Sequence, residues 1–76
     1  MRIKVLIGQR IRELRLSKRL TQHGLSSILS IPQSTIACWE LGIHVPSVEK
    51  LILVARALSV NLDDIVNQPE SVERYR

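Results

Sequence analysis

Gln33, Ser34, Ala37 and Cys38 lie close together in the chain. On a helical wheel, at about 100° per residue, they gather on one side, while Ile36 and Trp39 fall on the other. An ordinary surface helix carries Lys and Glu on its outer face; this one offers an amide, a hydroxyl, a methyl and a thiol. Small and amide groups admit close approach of something flat and polar, such as the edges of base pairs. Other chemistries find little material. His23, His44 and Cys38 are too few and too scattered for a zinc site. Asp63 and Asp64 are adjacent, so on a helix they point in different directions. No glycine-rich phosphate loop follows a strand. The expectation is a binding protein, not an enzyme, with no metal and no cofactor.

Two charges need partners. Glu40 falls beside Ile36 on the wheel, and Arg15 falls beside the stripe formed by Ile7, Ile11 and Leu14. A buried charge without a counter-charge costs several kcal/mol. Arg15 and Glu40 are therefore expected to pair, tying the first helix to the third.

The elements that must position these residues follow from periodicity and punctuation. The first helix should end near Lys18. Thr21 is a good N-cap for a second, running through Leu25, Ile28 and Leu29. Ser30-Ile31-Pro32 interrupts, and proline suits a first helical position, so Pro32 opens a third helix over 32–41. Gly42 stands where a left-handed closure is expected. After a loop to Pro46, Ser47 caps a fourth helix with the stripe Val48, Leu51, Ile52, Ala55 and Leu58. Asn61 caps a short fifth with Leu62, Ile65 and Val66, its positive end suited to Asp63 and Asp64. Ile3-Lys4-Val5 alternates but is too short to read as a strand. The prediction is an all-α, compact five-helix domain spanning 1–76, with its core at about 6–67 and a polar tail over 68–76 that is expected to be flexible.

Composition bounds the rest. A chain of 76 residues buries only ~60% of the surface that its unfolded form exposes, so every helix must serve one core. With no Phe, and only Trp39 and Tyr75 as aromatics, that core is aliphatic. The net charge of +4 is uneven. Arg2, Lys4, Arg10, Arg12, Arg15, Lys18 and Arg19 face only Glu13 in the first stretch, whereas acids outnumber bases from residue 47 onward. An anionic partner on one side fits this split, as does a solvated helix face. A lone Cys38 excludes an intrachain disulfide and fits a reducing compartment. With no membrane-length apolar run and no signal-like start, the expected location is cytoplasmic.

The chain resembles the lambda-repressor-like, XRE-family helix-turn-helix from about Ile7 to Val66. The resemblance rests on Thr21-Gln22, Leu25-Ser26, Ile36, Trp39-Glu40, Gly42, Pro46-Ser47 and Leu58-Ser59-Val60, in that order and spacing. It implies DNA binding with the helix-turn-helix formed by helices two and three. Base contacts would fall to Gln33, Ser34, Ala37 and Cys38: the glutamine amide to an adenine edge, the alanine methyl to a thymine methyl. Gln22 typically bonds a backbone phosphate, and Thr35, Gly42 and His44 lie near where the family meets others. Arg15 and Glu40 match a pair that commonly forms an internal salt bridge. The departures are Arg19 and Ser30 where glycines are usual, Gly24 within helix two, Pro32 in place of a capping Ser or Thr, and Ile43 where a Lys or Arg often reaches phosphate.

The function that follows is sequence-specific double-stranded DNA binding by a small transcriptional regulator, a repressor among other options, with no small-molecule ligand. One module offers little contact, so a homodimer is expected, with Leu62, Ile65, Val66 and Tyr75 as its surface unless they simply close the core. The rival is a protein-interaction module of the same fold that has lost DNA binding. Cys38 reads as a small neutral filler before it reads as a redox switch.

Overall fold

The computed structural model describes residues 3–67. Helices α1 (Ile3–Ser17), α2 (Gln22–Leu29), α3 (Gln33–Glu40), α4 (Val48–Ala57) and α5 (Leu62–Val66) follow one another. The Ile3-Lys4-Val5 alternation is the first turn of α1. The expected tail over 68–76, Tyr75 included, lies outside the described residues.

Starts are set by caps. Thr21 is extended, and its hydroxyl accepts from Gly24 N; Ser47 does the same for Lys50 N. Asn61 opens α5, where its N–H donates to the Asp64 carboxylate at 3.0 Å. Pro32 is extended, with φ −63° and ψ 144° and no side-chain cap. It therefore precedes the helix, and α3 occupies 33–40 within the expected 32–41.

Ends share one device. After α1, Leu20 N donates to Arg15 O and Arg19 N to Leu16 O; after α2, Ile31 N donates to Ser26 O and Ser30 N to Ser27 O. The same pattern closes α3 through Ile43 and Gly42, and α4 through Val60 and Ser59. This double bond is the Schellman closure, which needs one left-handed residue. Gly42 supplies it at φ 75°, but Arg19, Ser30 and Ser59 adopt φ of 58°, 56° and 56° with side chains attached. Such a conformation costs an L-residue roughly 1–2 kcal/mol. It is offset by saturating the last carbonyls and by docking the following aliphatic: Leu20, Ile31 and Val60 all pack against the core.

The core takes a fully buried aliphatic from every helix or its end: Ile11, Leu25, Ile36, Val54, Leu58 and Ile65, with Trp39 beside them. Three expectations are corrected. Ile28 is exposed, and Ser26 is buried in its place, its hydroxyl donating to His23 O. On α4 the buried stripe is Leu51, Val54, Ala55 and Leu58, whereas Val48 and Ile52 face outward. Ile65, assigned to a dimer surface, has no exposure and Leu62 packs against the core, so most of α5 closes the domain.

Gly8 lies within the α1 stripe because α1 crosses α3 very closely. A Cβ there would sit 1.9 Å from the carbonyl oxygen of Trp39. No side chain fits.

Candidate nucleic-acid interface

Helices α2 and α3 meet through a three-residue corner, Ser30 to Pro32. The left-handed Ser30 turns the chain, and the extended Pro32 launches α3. Ile36 and Trp39 then point inward and fix the rotation of the helix. That rotation leaves Gln33 and Ser34 exposed, with Ala37 and Cys38 half-exposed beside them. The first N–H groups of α2 and α3, among them those of Gln22, Gln33 and Ser34, have no intrahelical acceptor and carry the positive end of each helix dipole.

A buried ion pair braces this arrangement. Arg15 Nε donates to Glu40 Oε2 at 2.6 Å and a terminal nitrogen to Oε1 at 2.9 Å, a bidentate geometry among the stronger charge-assisted bonds. The remaining terminal nitrogen donates to Leu20 O at 2.7 Å. One guanidinium thus joins the end of α1, the approach to α2 and the end of α3. The side chains are 7% and 3% exposed. The hydrogen bond to Glu40 holds the Arg15 pKa above its ordinary value, opposed by burial and aided by charge attraction. Glu40 Oε1 also accepts from Gln22 Nε2 at 3.1 Å. That contact anchors the Gln22 amide at the start of α2 and leaves its second N–H for another acceptor.

The remaining site residues divide. Thr35 is half-buried and His44 exposed. Gly42 is buried, its N–H donates to Trp39 O, and a Cβ on it would meet Val5. It therefore has no group to offer a phosphate, and that expectation is corrected: Gly42 serves the turn and the contact with α1. Ile43 N and His44 N both donate to Cys38 O, so the loop backbone is engaged as well. Sequence reasoning overlooked Lys18 and Arg19, both exposed beside the start of α2. Their signal was present: two bases separated from the Thr21 N-cap by Leu20 alone put cations near a helix's positive end, a combination that favours an anion there.

Among the described residues, no cluster of His, Cys, Asp or Glu could hold a metal ion. No helix there is long and apolar enough to cross a membrane.

The helices, their corner and the outward face of α3 together define a helix-turn-helix. The helix-turn-helix family model matches residues 11–65, and the chain belongs to that family, in its lambda-repressor-like, XRE branch. It is 32% identical over 77 aligned residues to an uncharacterized HTH-type transcriptional regulator of Rickettsia prowazekii, covering 93% of this chain and 59% of that protein. It is 30% identical to the HTH-type transcriptional activator BcrR of Enterococcus faecalis, covering 86% of this chain and 32% of that protein. The chain thus spans less than two thirds of these curated relatives. Among solved structures, the restriction-modification controller protein C.AhdI of Aeromonas hydrophila superposes with a TM-score of 0.78 at 31% identity, covering 82% of this chain and 94% of that one. A hypothetical transcription factor from Neisseria, NHTF, superposes with a TM-score of 0.84 at 15% identity, covering 97% of this chain and 85% of that one, and speaks to the fold alone.

Proposed function

We propose that this chain is a cytoplasmic transcriptional regulator that binds double-stranded DNA sequence-specifically, as a homodimer and without a small-molecule effector. Helix α3 enters the major groove. Gln33 and Ser34 read base edges by hydrogen bonding, while Ala37 and Cys38 fill the space between helix and bases. Gln22, Thr35 and His44 bond phosphates, and Lys18 and Arg19 add charge beside α2. The observation that carries this reading is the rotation of α3: Ile36 and Trp39 are buried while an uncharged, small-residue face is presented outward. The family and the relatives, named as transcriptional regulators, support it.

Selection from a random duplex pool tests binding, site length and symmetry at once. The expected product is a two-fold symmetric site whose affinity falls steeply between about 50 and about 200 mM salt. No enrichment, and no duplex affinity at the lower salt, would leave the rival: a module of the same fold that binds only proteins. The apolar loop after α3 is the feature that favours that rival.

A further inference from the structure

The segment after α3 leaves large aliphatics uncovered in succession. Leu41, Ile43, Val45 and Val48 are 71, 51, 50 and 69% exposed. Ile52, one turn beyond Val48 on the same face of α4, is exposed too. Apart from the exposed His44 side chain, this stretch has little to offer a phosphate backbone: the N–H groups of Gly42, Ile43 and His44 are engaged within the turn, and the side chains of Leu41, Ile43, Val45 and Val48 have no polar atom. We propose that it is the surface on which a second copy of this chain docks, an inference that rests on the dimeric DNA-binding reading above and gives it a place.

Three observations favour a second copy. The exposed aliphatic area is on the order of 500 Å², close to the apolar share of the ~800 Å² per partner in a standard-size interface. Charge permits it: residues 41–53 carry only Glu49 and Lys50, one of each sign. A two-fold contact there brings no net repulsion and can set each acid near the other copy's base. The opposite choice, the α1 side with Arg12, Lys18 and Arg19, would bring cations together. Position permits it as well. Helix α3 has eight residues, about 12 Å at 1.5 Å each, and the patch begins at its last turn. A two-fold axis through the patch therefore leaves the exposed first turn of each α3, with Gln33 and Ser34, about 12 Å away from the contact and uncovered by it.

Sedimentation equilibrium of the full chain tests this with variants that favour the helices they sit on. Val48→Glu puts an acid at the first position of α4, and Leu41→Lys puts a base at the end of α3; both suit the helix dipole, and a preserved thermal melt verifies the fold. Each is expected to weaken dimerisation about tenfold or more. Leu16→Lys on α1 and Val66→Lys on α5, at exposed positions away from the patch, should leave it unchanged. A chain that is monomeric at ~100 μM, or a dimer lost in Val66→Lys and kept in Val48→Glu, overturns the proposal. The DNA reading is scored separately: a wild-type dimer that Val48→Glu dissociates upholds this surface even if no duplex binds. Monomeric wild type bound to a half-site sinks this surface and leaves the DNA reading standing.

Discussion

Replacing Glu40 with glutamine removes one charge and keeps the shape. In the native protein its two oxygens take both Arg15 bonds and the Gln22 bond. A glutamine can keep its oxygen toward Gln22 and the Arg15 terminal nitrogen, but its NH2 then faces Arg15 Nε, donor against donor. One charge-assisted bond is lost, worth ~1.5–3 kcal/mol, and the 7%-exposed guanidinium loses its counter-charge. Breaking a buried pair from one side costs about 3–5 kcal/mol; with one bond to Glu40's successor and one to Leu20 O retained, the lower end applies, about 3 kcal/mol. A domain of this size holds roughly 4–11 kcal/mol in all, so the melting temperature should fall by about 12–24 °C. Because the folded pKa of Arg15 is raised, its contribution is whole from neutral pH up to the ordinary arginine range and on the alkaline side is lost only above it. A measurement at neutral pH therefore reads all of it. Circular dichroism melts of wild type, Glu40→Gln, Arg15→Met and the double variant close the cycle. A Glu40→Gln melt within ~4 °C of wild type, or a coupling below ~1 kcal/mol, would refute the reasoning.

Ser30→Gly relieves a left-handed serine and should stabilise by about 0.5–1 kcal/mol, the gain reduced by glycine's looser unfolded chain; a lower urea midpoint would contradict it. Gly8→Ala should destabilise by ~3 kcal/mol or more despite alanine's better helix propensity, because of the Trp39 carbonyl. Gly24→Ala meets only the Thr21 hydroxyl at 3.2 Å and Leu20 Cδ2 at 3.4 Å, so its change should be under ~1 kcal/mol either way; equal losses at both sites in urea unfolding would contradict the crossing geometry. Gln33→Ala should cost ~1–3 kcal/mol on the selected site and relax one base position, with an unchanged salt slope because no charge is removed; a uniform loss across sequences in filter binding would reassign Gln33 to the backbone.

Local chemistry made much of this fold readable. Thr21, Ser47 and Gly42 announce their caps through side chains or the lack of one, and Ile36 with Trp39 orients α3 because only that side of it is apolar. Helix α4 defeated the same method. It is apolar nearly all round, so Val48–Ile52 and Leu51–Val54 give equally good stripes, and only packing against α2 and α5 selects the second. Gly8 was missed because a glycine inside a helical stripe is tolerable anywhere; its meaning lies in a backbone 31 positions further on, at Trp39. Gly42 was readable as a turn but not as a buried contact with Val5. The left-handed Ser59 gave no composition signal, since serine announces nothing about positive φ.

The corners described above are almost without slack. Three of them run three or four residues between helices, and each packs an aliphatic against the core one residue before the next helix's N-cap. An extra residue at Arg19, Ser30 or Ser59 would swing the following helix out of register with everything it touches. Between α3 and α4 the chain takes seven residues, and its anchor, Ile43, stays outside. Length changes in related chains should therefore accumulate there. That corner is where the angle of α3 against the rest of the chain can be retuned without unmaking the domain.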